Sequence, residues 1–265
     1  MTCFNQLLDA VHLDDDGLCH SQGHPDWTQG RTLFGGLQTA LAVRVLRQKI
    51  GDALPLRSVQ TTFMAPVPPA AFTLVPQILR MGGSTIHGEC RIVSGDDVLC
   101  SVVAVFGKSR PSSIRIAPAR PEIERDPDAA AELPFIDGLT PAFTQHFQLR
   151  WAQGGFPFTG AAQPRTRIHV RFRQPQTLTE AHLIALADTV PSPGLSVLKK
   201  PAMASSMTWT LELFDQRTEF AAQDWWRMDT VIDAAAEGYL GQSAHLWTPD
   251  GQLAALSRQT VVAFG

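Results

Sequence analysis

The chain has 265 residues, 44% of them hydrophobic and 18% charged, which is a globular composition with ample material for a core. Twenty-two Lys and Arg against 25 Asp and Glu leave a formal net charge of −3. That balance excludes a protein that gains its affinity by neutralising many phosphates, so no nucleic-acid partner is expected. The four cysteines, Cys3, Cys19, Cys90 and Cys100, lack paired spacing and exclude a disulfide scaffold. No apolar run reaches the ~18 residues of a membrane span, and Met1 to Asp16 shows no basic stretch followed by an apolar one. A cytoplasmic protein of a reducing compartment is expected.

The first strong element is a helix within Gly30 to Gly51. Leu37, Leu41, Val45 and Ile50 recur near helical spacing with Leu46 beside them, and Arg44, Arg47 and Lys49 fall elsewhere. Gly51 supplies the stop. Strands follow over Arg57 to Pro66 and Phe72 to Arg80. A hairpin of Thr85 to Val93 and Val98 to Phe106 then turns at Ser94-Gly95-Asp96-Asp97. Residues 108–145 are rich in Pro and acidic side chains and read as a linker with a short ordered piece.

The same order then repeats. A second helix spans Thr177 to Asp188, with Thr177 and Glu180 at capping-box spacing and Pro191 and Pro193 ending it. Thr179 with His182 does not make a complete box. Ser206 to Phe214 alternates: Met207, Trp209, Leu211 and Leu213 are expected to face the helix, with Ser206 and Thr208 on the other side. Trp225 to Asp233 is another strand, and Leu240 to Trp247 with Leu253 to Phe264 forms a hairpin around Thr248-Pro249-Asp250-Gly251.

Both hairpins end alike, in Val102-Val-Ala-Val-Phe-Gly107 and Val261-Val-Ala-Phe-Gly265, and corresponding features lie about 150 residues apart. The chain is one α+β unit written twice, each a helix along a long antiparallel sheet. The expected domains are residues 1–110 and 146–265, joined by 111–145. A sheet with one covered face must bury the other element against it, and two such units side by side satisfy this.

Helix first and curled sheet second is the hotdog arrangement, and six pieces make the resemblance specific. Leu33-Phe-Gly-Gly36 running straight into a helix resembles the first hotdog of acyl-CoA thioesterase II and related double-hotdog thioesterases. Ser58-Val-Gln-Thr-Thr-Phe-Met-Ala-Pro66 is similar to their next strand, and Arg80-Met-Gly-Gly-Ser84 to their Arg-x-Gly-x-Ser turn. In the second half Ala185-Leu-Ala-Asp188, the strand start Ser205-Ser206 and Asp250-Gly-x-Leu-x-Ala-x-x-x-Gln259 match in order and spacing. Two departures stand out. Leu37 and then Gln38 follow Phe-Gly-Gly where the family has Gln directly, and the second-half strand reads Thr-Trp-Thr-Leu-Glu-Leu where the family has a His- and Phe-rich stretch.

The resemblance implies hydrolysis of an acyl-CoA to free acid and CoA. It implies no cofactor beyond the CoA of the substrate, no metal, and a homodimer or larger homo-oligomer. It further implies that a helix Asp, a strand hydroxyl and a strand Gln hold the attacking water; carried over, these are Asp188, Ser206 (with Ser205 as the alternative) and Gln259. The residue chemistry agrees. Asp188 ends the apolar stretch Leu183-Ile-Ala-Leu-Ala, where partial desolvation raises a carboxylate's pKa toward that of a useful base; a solvated helix-end Asp, or one capping the Pro-rich turn, is the plainer reading. Gln259 both donates and accepts, and of the adjacent pair Arg258 and Gln259 the uncharged one is cheaper to bury. Gly35 and Gly36 open a helix whose free N–H groups attract negative charge, and the Gly36 and Leu37 amides are the expected oxyanion donors. Tight helix packing explains the same glycines.

The first half is an internal control. Its helix carries no carboxylate from Gly30 to Ile50, and aligning the two hairpin turns sets Val105 in the place of Gln259. One composite site per chain is expected, with donors from the first half and the base from the second. Other signals are weaker. Cys19, His20 and His24 lack a second pair of metal ligands. Gly241-Gln-Ser-Ala-His245 is not a nucleophile elbow. Lys199, Lys200 and Arg110 are candidates for the CoA phosphates or plain surface charge. Two rivals remain: a hotdog enoyl-CoA hydratase or dehydratase, which needs a His near the Asp, and a non-catalytic acyl-CoA-binding hotdog.

Overall fold

The computed structural model describes residues 2–264. In the first half lie α1 (Phe4–Asp9), β1 (Cys19–Gln22), β2 (Thr28–Gln29), β3 (Thr32–Leu33), α2 (Gly35–Ile50), β4 (Leu56–Phe63), β5 (Ala71–Met81), β6 (Thr85–Ser94) and β7 (Asp97–Gly107). The rest of the chain forms β8 (Ala131–Glu132), β9 (Phe147–Gln153), β10 (Arg165–Phe172), α3 (Glu180–Leu186), α4 (Gly194–Val197), β11 (Ala204–Leu213), β12 (Trp226–Ala236), β13 (Tyr239–Trp247) and β14 (Leu253–Ala263).

Apart from the small β2–β3 ladder, the strands make one 12-stranded sheet in the order β1-β5-β6-β7-β4-β11-β14-β13-β12-β10-β9-β8. The two halves meet where β4 pairs antiparallel with β11, Val59 opposite Leu211 and Thr61 opposite Trp209. All four of these side chains are buried, so the inner face runs unbroken across the seam. α2 lies against β5, β6 and β7 on that face and touches α3 of the other half. Close approach is possible because Gly88 has no side chain; a Cβ there would stand 2.9 Å from Leu46 Cδ2. This is the expected double hotdog, with two curled sheets joined edge to edge and their helices meeting at the centre.

A bidentate ion pair ties the helices together. Arg47 donates from Nε and Nη2 to Glu180 at 2.6 and 2.7 Å, and from Nη1 to the carbonyls of Gly51 and Leu54. Glu180 is thus committed to α2, and the α3 cap differs from the expected Thr177–Glu180 box. Thr179 is the N-cap, and its own N–H donates to His182 Nδ1 at 3.0 Å. Neutral imidazole serves here as the acceptor that Glu or Gln usually supplies.

Besides the two-residue β2, β3 and β8, three strands lie outside the sequence expectations. β1 pairs with β5 at one edge. β9 and β10 pair with each other, and β10 also pairs with β12. In β10 the residues Thr166, Ile168, Val170 and Phe172 are buried on the inner face, while Arg167, His169 and Arg171 alternate outward. Side chains of β9, β10 and β12 explain the linker's path. Arg227 donates to the Pro121 carbonyl, Arg167 to that of Glu122 and Arg150 to that of Pro127, and His169 Nε2 sits 3.3 Å from the Arg125 carbonyl. The linker is strapped over the outer face of the second sheet by hydrogen bonds to its own backbone oxygens, which irregular chain leaves unpaired.

Candidate active site

α3 ends at Leu186, and the Asp188 N–H bonds back to the Ala185 carbonyl at 3.2 Å. This turn aims the Asp188 side chain at the start of α2. Gln259 Nε2 donates to Asp188 Oδ1 at 2.7 Å, and the Gly36 backbone N–H also donates to the carboxylate. Burial among apolar neighbours pushes the Asp188 pKa up to about 7, and those two hydrogen bonds pull only part of the way back. The residue as a whole is half-buried.

The Gln259 amide is polarised from both ends. Its Nε2 goes to Asp188, and its Oε1 accepts from Ser206 Oγ at 3.3 Å. The relay therefore runs Ser206 to Gln259 to Asp188, which fixes the amide's orientation. Ser206 reaches it for a reason opposite to the one expected from strand parity. The β11–β14 ladder shifts register between Ser206 and Thr208, because Ser206 pairs with Val261 and Thr208 with Thr260. Met207 is the extra residue of a β-bulge and is exposed, not turned to the helix. The bulge reverses the alternation and sets Ser206 on the same face as Trp209 and Gln259. Ser205 is exposed and makes only a 3.5 Å contact with its neighbour's carbonyl.

At the other wall, Gln38 is the first residue of α2 to bond to a carbonyl behind it, from its N–H to Phe34 O at 3.1 Å. The N–H groups of Gly35, Gly36 and Leu37 lie outside the helical ladder. Gly36 spends its donor on Asp188, so the expected pair of oxyanion amides divides, and Leu37 holds the donor not directed at the carboxylate. A Cβ at Gly35 would come within 2.8 Å of Asp188 Oδ2 and 2.9 Å of Phe63 Cζ; one at Gly36 would come within 2.6 Å of the Phe34 ring. Both glycines are required by close approach, of the base in one case and of an aromatic ring in the other.

Two neighbours escaped the sequence reading. Phe63, the last residue of β4, walls the carboxylate through its contact with Gly35. Gln242 stands directly opposite Gln259 in the β13–β14 ladder and is 5% exposed. An isolated Gln in a strand carries no distinctive signal; only pairing reveals it. The internal control also needs one correction. From Cys100 on, alternate side chains of β7 are buried (Val102, Ala104 and Phe106), so Val105 lies on the other face and is not the counterpart of Gln259. α2 itself carries no acid, and Asp52, just past its end, is almost fully exposed.

His182 is held uncharged, its pKa pushed down to about 4 by burial. With Nδ1 in the α3 cap and its ring edge-on to Phe4 and Phe172, it has no contact with Asp188. Cys19 is buried and His20 exposed on successive positions of β1, so they point to opposite faces. Among the described residues, no group of three or more His, Cys, Asp or Glu is placed to hold a metal, and no helix is long and apolar enough to cross a membrane. Arg110 bonds to Ser84 Oγ, and the Lys199 stem packs by Gly160.

Comparisons agree with this architecture. Residues 23–107 match the family model for the acyl-CoA thioesterase N-terminal domain, and residues 127–263 match that for the acyl-CoA thioesterase C-terminal domain. The chain is similar in structure to a conserved hot dog fold protein of unknown function from Alicyclobacillus acidocaldarius, with a TM-score of 0.88, 22% identity, and 99% of this chain and 98% of that one covered. It is likewise similar to an acyl-CoA thioesterase II, TesB2, from Mycobacterium marinum, with a TM-score of 0.79, 16% identity, and 99% and 98% covered. The tesB protein of Mycobacterium avium subs paratuberculosis gives a TM-score of 0.79 at 15% identity, with 99% and 100% covered. No curated protein matches the chain at a significant level.

Proposed function

The chain belongs to the acyl-CoA thioesterase family and is a thioester hydrolase, and we propose that it cleaves an acyl-CoA with a water activated by Asp188. The observation that carries this reading is the carboxylate held between Gln259 and the Gly36 amide, with its pKa raised to about 7. A base poised near neutrality is ionised often enough to act and basic enough to take a proton.

In this mechanism Gln259, locked by Ser206, orients the water beside Asp188. Water oxygen bonds to the thioester carbon while its proton passes to the carboxylate. The carbonyl oxygen gathers charge and is met by the Leu37 N–H at the start of α2, where the helix dipole adds to the hydrogen bond. The C–S bond then breaks, the thiolate leaves as CoA and takes up a proton, and the free acid departs. Phe63 and the apolar end of α3 keep bulk water from the base. No covalent intermediate and no metal enters the scheme.

Release of free thiol from a panel of acyl-CoAs tests it. Turnover by the wild-type chain that disappears in Asp188→Asn is the expected result. Acyl-CoA binding without thiol release would instead assign a binding module, and unchanged turnover in Asp188→Asn would remove the water-activation step.

A further inference from the structure

Past the carboxylate cluster, toward the β12–β13 turn, the second half carries a cleft of about 270 Å³. Its place next to the site follows from the ladder. Gln242 is opposite Gln259; Leu240, two positions earlier on β13, is opposite Val261, and Val261 is opposite Ser206. Leu240, Ala236 and Ala263 line the cleft together with Gly194 and Leu198. The last two belong to the chain that runs on from the base: Gly194 comes six residues after Asp188 and opens α4. A Cβ on Gly194 would stand 3.0 Å from Leu240 Cδ2, so the start of α4 lies directly on β13. Gln259 to Ala263 is four residues of β14, a span of about 13 Å.

Two cations border this cleft. Lys199 and Lys200 follow Leu198 directly, and both are exposed. Among the described residues, neither is ion-paired with an acid. Their segment is anchored: the Gly160 N–H donates to the Leu198 carbonyl at 3.0 Å, and the Lys199 stem lies against Gly160, where a Cβ would stand 3.0 Å from its Cγ. Glu237, in the β12–β13 turn, is the one charged residue of the cleft lining. Its carboxylate keeps an anion out of the cleft itself, whose other walls suit an uncharged chain. Arg110 has no such position. It follows β7, whose Phe106 pairs with Leu56, at the end of β4 away from Phe63 and the site.

We propose that this cleft holds the pantetheine arm of the substrate and that Lys199 and Lys200 meet the phosphates of CoA. CoA carries its phosphates beyond a long uncharged arm, and the structure presents the matching order: carboxylate cluster, uncharged walls, paired lysines. Contacts to this remote, unreacting end hold the thioester at the base, so their loss raises KM more than it lowers kcat. Both lysines are exposed, so their contribution weakens with salt. The proposal rests on the thioesterase reading above and adds what is recognised: a thioester of CoA, in preference to one of a thiol without the nucleotide.

The test compares octanoyl-CoA with octanoyl-pantetheine, which lacks the nucleotide and its phosphates. Lys199→Ala with Lys200→Ala is expected to raise KM for octanoyl-CoA roughly tenfold with kcat within about twofold, and to leave octanoyl-pantetheine unchanged. Ala236→Phe, at an exposed position of the cleft, is expected to lower kcat/KM for both thioesters, and by the same factor for butanoyl-CoA and dodecanoyl-CoA. Thermal melting checks that each variant keeps its fold. Unchanged octanoyl-CoA kinetics in the double lysine variant, or an equal loss on octanoyl-pantetheine, overturns the proposal. A loss in Ala236→Phe that grows with acyl length also overturns it and gives the cleft to the acyl chain. Absence of thiol release from every thioester would sink the hydrolase reading alone, because calorimetric titration of CoA itself then decides the site. Binding that weakens about tenfold in the double lysine variant upholds the proposal, and no binding of CoA ends it.

Discussion

Gly36, at the start of the first half's helix, donates its backbone N–H to Asp188, at the end of the second half's helix. The base is therefore held in part by a main-chain group of the other repeat, and neither half contains the site. Removing the carboxylate in Asp188→Asn is expected to lower kcat by 10²–10⁴-fold, the range for loss of a general base. Asp52→Asn, at an exposed position past α2, is expected to change it less than twofold. Comparable losses in the two variants, measured by thiol release, would remove the single-site assignment.

The raised Asp188 pKa has two consequences with opposite signs. Activity requires the ionised base, so kcat/KM is expected to rise with pH and level off above about 7. Stability runs the other way. The folded-state value lies above the unfolded one near 3.8, so folded protein binds this proton more tightly than unfolded protein. The contribution is most favourable below the unfolded value and is lost as pH rises toward 7. Full ionisation costs on the order of 4 kcal/mol, an upper bound for a half-buried group. Asp188→Asn escapes this cost. Its stability relative to wild type is expected to improve by roughly 3 kcal/mol between pH 5 and pH 8, by urea denaturation at each pH. A pH-independent difference would contradict the assigned shift.

Much of this arrangement was legible in the sequence, for physical reasons that also mark the limits. Asp188 stood out because a carboxylate closing an apolar helix is costly unless used, and Gly35-Gly36 because two glycines at a helix start imply close approach. β10 went unseen because its outward Arg167 and Arg171 resemble plain surface charge, whereas Arg167 holds the linker's Glu122 carbonyl and Arg171 the carbonyl of Gln223. The side of β11 that carries Ser206 was misjudged because the bulge at Met207 has no Gly or Pro to announce it. Alternation is reliable only between such irregularities. The bulge yields a prediction: Ser206→Ala is expected to lower kcat by about 3- to 30-fold by freeing the Gln259 amide to turn, in line with loss of one modest hydrogen bond. Ser205→Ala is expected to have no effect, and the reverse ranking would place the bulge elsewhere.

Gly35 separates positioning from folding. A methyl there would press on Asp188 Oδ2 and on the Phe63 ring, both side-chain atoms able to move. Gly35→Ala is expected to fold with a loss of about 1–2 kcal/mol yet to lose 10²-fold or more in kcat, because the base is displaced by a fraction of an ångström. Ala is otherwise the better helix residue, so the stability cost has no other source. Equal activity in Gly35→Ala would mean that the carboxylate position seen here is not the working one.

The ion pair between Arg47 and Glu180 joins the last turn of α2 to the first turn of α3. Arg47 is 8% exposed and Glu180 20%, the guanidinium lies over the Phe106 ring at 4.5 Å, and its Nη1 also bonds the carbonyls that follow α2. Removing one partner strands a buried charge, which typically costs 3–5 kcal/mol. Glu180→Ala is expected to approach that loss, since Arg47 stays buried without its carboxylate. Replacing both residues, in Arg47→Met with Glu180→Leu, removes the charge and keeps the apolar contact, and is expected to recover more than half of the loss. Activity then discriminates between mere stability and geometry: if the pair also fixes the register of α2 on α3, the double variant regains stability by denaturation but its kcat stays at least several-fold below wild type. Full recovery of both would make the pair a stability element with no part in aligning the site.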